Sequence, residues 1–552
     1  MSGGLVIVPI GDGFEEEDLR AGGPNLCEAP CYSVPIPSDH RFYHALWIQG
    51  CYKPEIEEIS RRHRVSTSDI SYVGRRSRHD LNSEPVLTAL LTTSRNNPTQ
   101  HGWAQLAKDV WKLLRDSGIR PITVEVVDQR FNQAPYIFPC RETDEIYPVW
   151  EQVCKSILAN INLRGIISIG CHRIGNASYQ ESCIPTVLVT VSRSCTRQWK
   201  PVREGILDVL TSYRLHMVAV FIRKDIGSLS SGVIETREIG SDECTATARE
   251  GMSISPHGLN RSQGTLGGCI ELYNSRREEW VEFGLTCTHC VLPSEEEETL
   301  ADWTKMGVRI GDVNAPRLLR VDCPSQRDIE DGIRVARETI MDIKEDPIFS
   351  KVDHAERIGD YTLKPFEQSE AHMSRYLESG NNVLGVVFAV SGLVERPART
   401  ASPNDGSLPT IRDWALVQPR AGRVLGSNEF SKHSKLELDK MEFLPVGERI
   451  RPGQLLYKWG RKTGATKGRY NGLRTAYISE EIVAGKVIKK PTLEHTVVSI
   501  SRHDVFELEG DSGAFVYSNR GHVVGMCFGG FKDGYADDIT RVTGVKDIRL
   551  KQ

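Results

Sequence analysis

The sequence has no run of about 18 apolar residues, which excludes a membrane-spanning helix. Its first ten residues, Met1 to Ile10, lack a basic start. The polar stretch Gly11 to Glu17 then cuts their apolar character short, so they do not read as a secretory signal. Charge of one sign is not in excess: a formal net charge of −4 over 552 residues predicts neither a nucleic-acid nor an acidic-membrane partner, because both select large basic surpluses. The 14 cysteines are scattered along the chain instead of packed into a small module. With no signal in front of them they read as reduced thiols, and the expected location is cytoplasmic. The chain is too long for one hydrophobic core, and several domains are expected.

Residues 1–83 show little periodicity and are punctuated by Pro24, Pro30, Pro35 and Pro37. Arg61-Arg62-His63-Arg64 and Arg75-Arg76 form a local basic cluster, read as a solvated face. From Pro85 the pattern sharpens. Val86 to Thr92 is strand-like, and Gly102 to Leu114 is an amphipathic helix with Trp103, Leu106, Val110 and Leu113 at helical spacing, stopped by Gly118. Ile122 to Val127 is a second strand. The order recurs about a hundred residues later as Thr186 to Val191, a helix with Val202, Ile206 and Leu210, and Met217 to Ile222. Residues 84–226 are therefore expected to form an α/β domain with a weak strand-helix-strand repeat. Residues 227–262 are rich in Gly, Ser and Thr and read as a linker.

Beyond the linker, over residues 263–552, the pattern changes to many short β-like runs with glycine-rich turns, which predicts a barrel or sandwich. Two helical stretches interrupt them. One starts near Ser294 with Glu297 as a capping box; the other starts at Ser325 with Asp328 in the same role.

Three motifs carry chemistry. Thr286-Cys287-Thr288-His289-Cys290 directly follows a strand, Arg412-Asp413-Trp414 leads into an apolar one, and Gly510-Asp511-Ser512-Gly513 leads into another. In this order they resemble the chymotrypsin-like (trypsin-like) serine peptidases, whose triad runs His, Asp, Ser along the chain. The segment Lys458 to Gly468 is similar to the glycine- and threonine-rich turn that stands between Asp and Ser in microbial and fungal-like members. The resemblance covers only the C-terminal half. It implies a multidomain protein with an N-terminal α/β domain and a C-terminal all-β double barrel carrying helical insertions. It further implies a serine endopeptidase acting through an acyl-enzyme on a protein or peptide substrate, without a cofactor.

In that scheme a serine hydroxyl needs an adjacent base to act as nucleophile. His289 would take the proton of Ser512, and Asp413 would fix the tautomer and stabilise the imidazolium. The backbone N–H groups of Gly510 and Ser512 would form the oxyanion hole, each worth ~3–4 kcal/mol in the transition state. The pocket floor would fall at Phe506 and its wall at Gly529 and Gly530; a phenylalanine there implies small or apolar side chains. Eight histidines follow residue 250, and only His289 stands after a strand in this context.

The chain departs from the family in three places. His289 and Asp413 are 124 residues apart, a long gap that the helical stretches are expected to fill. Asp405 lies in the polar loop before Asp413 and is its rival for the third position. No Ile-Val-Gly-Gly-like start follows an Arg or Lys, so Asp511, which anchors a newly cut N-terminus in digestive enzymes, has another role here. Activity without cutting, or regulation by the N-terminal domain, is expected instead.

Two rival readings remain. Cys287 and Cys290 have Cys-x-x-Cys spacing, but a structural zinc site needs two more ligands, and Cys269 and Cys323 are isolated. The barrel would alternatively be a catalytically inactive binding or signalling scaffold.

Overall fold

The computed structural model describes residues 8–10, 13–17, 19–28, 31–48, 52–77, 83–94, 102–132, 135–192, 194–195, 197–224, 239–258, 264–293, 298–345, 363–397, 408–429, 441–445, 448–483, 486–501, 504–529, 535–537 and 548–551. Strands dominate, with a few helices between them. The chain forms two compact units: Met1–Gly232 with Thr475–Lys490, and Val233–Arg474 with Pro491–Gln552. Among the described residues no helix is long and apolar enough to cross a membrane, and every cysteine is free.

The first unit holds two sheets built on one plan. In each, a helix precedes two antiparallel strands, and a crossover helix then leads to a strand parallel to the second. The first instance is Lys53–Arg62, Thr67–Ser77, Val86–Thr93, Trp103–Asp116 and Thr123–Asp128. The second is Trp150–Asn160, Ile166–Gly175, Ile184–Val191, Lys200–Ser212 and Ala219–Lys224. Trp103–Asp116 is a helix because Trp103, Leu106, Ala107, Val110 and Leu114 share one face, and that face is fully buried. Gly118, at φ +87°, ends it in a conformation that costs least at glycine.

The first sheet runs Val8–Ile10, Phe14–Glu17, Arg20–Gly23, Thr123–Asp128, Val86–Thr93, Thr67–Ser77, Cys31–Val34. Residues before Glu84 thus supply five of its seven strands and share a core with the later ones. Their short strands and prolines concealed this in the sequence. Arg75, read with its neighbours as a solvated face, is instead 1% exposed. Its Nε donates to Glu125 Oε2 at 2.8 Å, and Arg20 Nε donates to Glu125 Oε1 at 2.8 Å. Burial opposes the Glu125 charge, but the two guanidiniums outweigh it and hold the carboxyl below its usual range. Arg61 and Arg62 are exposed, as expected. The second sheet gains a further strand, Thr475–Val483, pairing with Ile166–Gly175.

The second unit contains two curled sheets. One runs Gly264–Thr265, Ser253–Pro256, Arg320–Asp322, Val383–Val390, Ala415–Pro419, Glu279–Thr286, Gly268–Asn274, Ile548–Leu550. In the other, the antiparallel pairing returns on itself: Lys486–Ser499, Gly464–Tyr470, Leu455–Gly460, Phe515–Ser518, His522–Gly529 and Tyr535–Asp537, the last pairing back to the first. Closing a ladder in this way removes its edges. Among the described residues four helices lie between His289 and Asp413, where two were expected: Glu298–Met306, Ala315–Leu318, Gln326–Glu345 and Lys364–Glu378. The last has Pro365 in its first turn and buries Met373 and Tyr376. The proposed cap at Ser294 and Glu297 lies outside the described residues. At the third helix Ser325 Oγ does accept the N–H of Asp328 at 3.3 Å, but the Asp328 carboxylate turns to Arg461 instead of back to the cap.

Candidate functional site

The strand ladder brings two of the three motifs together. Gly284, Leu285 and Thr286 pair with Val417, Leu416 and Ala415, so the residues just after one strand meet those just before the other. His289 therefore stands beside Asp413. Its backbone N–H donates to Asp413 Oδ1 at 3.3 Å, and its ring Nδ1 lies 2.5 Å from Oδ2. Asp413 is 1% exposed, whereas the His289 side chain is 37% exposed. The turn is pinned from behind. Thr288 Oγ1 donates to the Trp414 carbonyl at 2.9 Å, and Trp414 N–H donates to Ser391 Oγ at 2.9 Å. Partial burial lowers the His289 pKa, but the Asp413 carboxylate, and then Cys290, outweigh it and hold the imidazole well above its ordinary value.

The third motif is tied to the same turn through backbone. The Ser512 carbonyl accepts the N–H of Thr265 at 2.7 Å and lies 3.4 Å from Cys290 Sγ. Thr265 is a hub: its hydroxyl donates to the Gly510 carbonyl at 2.9 Å and accepts the N–H of Arg461 at 3.0 Å, while its carbonyl accepts Thr286 Oγ1 at 2.8 Å. Gly510 and Gly513 take φ of +104° and +97°, and a Cβ on Gly513 would stand 2.2 Å from the Thr265 carbonyl oxygen, so glycine is required there. Ser512 is 7% exposed. Its Oγ makes no hydrogen bond among the described residues, whereas the His289 ring also interacts with the Cys290 thiol.

Among the described residues the Asp511 carboxylate accepts five hydrogen bonds from four residues. Oδ2 accepts Lys458 Nζ at 3.0 Å, Thr463 Oγ1 at 2.7 Å and the Leu508 N–H at 3.0 Å; Oδ1 accepts the N–H groups of Lys462 and Thr463 at 2.8 and 3.1 Å. Burial works against its charge, and Lys458 with these donors more than offsets that, so the carboxyl is held below its usual range. The pair locks the loop that carries Gly510 and Ser512.

Phe506 is fully buried in an apolar cluster with Leu456, Val497, Val516, Val524 and Cys527. Gly529 is half-buried. Gly530 and Asp405 lie outside the described residues. Next to Phe506, the buried Glu507 has one carboxylate oxygen, Oε2, without a hydrogen-bond partner among the described residues, and burial pushes its pKa up to about 8.

Sequence reasoning missed Lys458, Thr265, Ser391 and Glu507. For Lys458 a signal existed. The strand Leu455–Gly460 alternates between half-buried and buried residues, with Lys458 on the same face as Leu456 and Gly460. A lysine on a buried face implies a buried anion.

Cys287, His289 and Cys290 also offer three ligand atoms within 4.8 Å of one another. Burial disfavours a Cys290 thiolate, but a hydrogen bond from Cys287 and the His289 imidazolium bring its pKa down to about 5. Burial pushes the Cys287 thiol up. No family model matches this chain, and no curated protein matches it.

Proposed function

We propose that the second unit is a serine endopeptidase of chymotrypsin-like architecture, with His289, Asp413 and Ser512 as its triad. The contact between His289 Nδ1 and Asp413 Oδ2 carries this reading, because it leaves proton transfer to the other ring nitrogen, Nε2. The ring of six strands and the open curled sheet support a double barrel, one curled sheet contributing His289 and Asp413 and the loop of the other contributing Ser512.

In this mechanism Ser512 Oγ attacks the scissile carbonyl carbon as Nε2 takes its proton. The oxyanion is received by the N–H groups of Gly510 and Ser512, held open by the positive φ of Gly510. Collapse expels the amine, which takes the proton from His289. Water then attacks the acyl-enzyme with His289 again as base. Lys458 supplies from within the chain the cation that orders Asp511, so no newly cut N-terminus is required.

A second reading, an inactive scaffold, draws on the lack of a hydrogen bond from Ser512 Oγ among the described residues. Hydrogen bonds of this kind often tighten only when substrate is bound. Incubation with a peptide library, with cleavage sites mapped by mass spectrometry, separates the two. Cleavage by the parent protein that is lost in Ser512→Ala supports the peptidase; an identical peptide profile for both proteins supports the scaffold.

A further inference from the structure

Cys287 and Cys290 bracket His289 on one tight turn, Thr288–Cys290, whose first residue is fixed by the Thr288 bond to Trp414. The two sulfurs and one imidazole nitrogen already lie within 4.8 Å of one another. Tetrahedral zinc, with bonds of about 2.3 Å to sulfur and about 2.0–2.1 Å to nitrogen, requires such atoms to be about 3.5–3.8 Å apart. Small side-chain rotations cover the difference.

We propose that Cys287, His289 and Cys290 form a site for one thiophilic divalent cation, and that its occupancy switches off the His289 imidazole. The donor set selects the metal: two thiolates and an imidazole suit zinc, cobalt or cadmium and are poor partners for magnesium or calcium. Charge favours the complex, since two thiolates and a dication sum to zero in a place where both sulfurs are buried. The His289 side chain is 37% exposed, which gives the ion an entry path past two buried sulfurs. Two cysteines, one histidine and an open position make up a set that binds zinc elsewhere.

The consequence follows from the ring's lone pair. Coordination through Nε2 removes the proton acceptor, and coordination through Nδ1 replaces the Asp413 contact. The metal-bound state and the state with a working base exclude each other. That consequence rests on the peptidase reading; the coordination itself does not.

The test is a titration of the reduced full-length protein with cobalt(II), followed by its thiolate-to-metal absorption, with zinc as competitor. The expected result is one equivalent bound per chain and displaced by zinc, with the band lost in the double variant Cys287→Ser, Cys290→Ser. His289→Ala, at a partly exposed side chain, keeps both thiols and is expected to weaken binding by at least about tenfold. No thiolate band in the parent, or a band unchanged in both variants, overturns the site. Serine labelling by a fluorophosphonate, measured with zinc and after chelation, tests the consequence. Labelling blocked by zinc and restored by chelator supports the switch, and labelling indifferent to bound zinc overturns it. If labelling is absent even in metal-free protein, the peptidase reading fails while the cobalt band still decides the site.

Discussion

Lys458 Nζ lies 3.0 Å from Asp511 Oδ2, and neither side chain has exposed surface. A buried ion pair of this kind is costly to break from one side, because the remaining charge is left without a partner. Lys458→Met is expected to lower stability by about 3–5 kcal/mol, measured by denaturant unfolding. Lys458→Met combined with Asp511→Asn should recover part of that loss, since it leaves no buried charge. If the single variant is as stable as the parent, the pair does not hold the Ser512 loop.

The pH dependence of catalysis follows from His289. Its folded pKa is raised well above the ordinary histidine value near 6.5. The imidazolium therefore contributes stability that is fully present below about 6.5 and is lost as pH rises through the raised value. As a base the ring works only when neutral, so kcat/KM should climb through that same raised value. A profile already flat at pH 6.5 would contradict the raised pKa. Proton NMR of His289 in Ser512→Ala gives the value independently.

Glu507 has the opposite ionic consequence. Its folded pKa is raised to about 8 from an ordinary 4.5, so its neutral form contributes stability below the ordinary value, and this is lost as pH rises through about 8. Glu507→Gln removes the titration. The stability difference between variant and parent should grow in the variant's favour from acid towards alkaline pH, as read from thermal unfolding at pH 5 and pH 9. An unchanging difference would show that the carboxyl does not titrate in this window.

Thr265 makes three side-chain or carbonyl contacts to the elements around Ser512. Thr265→Val keeps its volume but strips the hydroxyl bonded to the Gly510 carbonyl and the Arg461 N–H. A loss of about 1–3 kcal/mol in stability is expected, with a fall in kcat larger than any change in KM, because the loop positions the oxyanion donors. A KM effect alone would place Thr265 outside that role.

Much of this architecture was legible where local pattern decides it. The strands before His289 and after Asp413 and Ser512 stood out through short apolar runs, and the helix Trp103–Asp116 through its buried face. Long-range pairing was not legible. Thr475–Val483 joins the sheet of Ile166–Gly175 across some three hundred residues, and no local periodicity reports such a partner. The expected boundary at residue 263 passes over that strand, which belongs to the first unit. Arg75 was misread for the same reason: its anion, Glu125, is 50 residues away in sequence. The His289–Asp413 contact spans 124 residues, and only the order of the motifs pointed to it.

The most direct measurement is intact mass after treatment of the full-length protein with a fluorophosphonate probe, alongside Ser512→Ala and His289→Ala. The account predicts one adduct per chain in the parent, mapped to Ser512, and none in either variant. An unmodified parent, or an adduct that survives in Ser512→Ala, would contradict it.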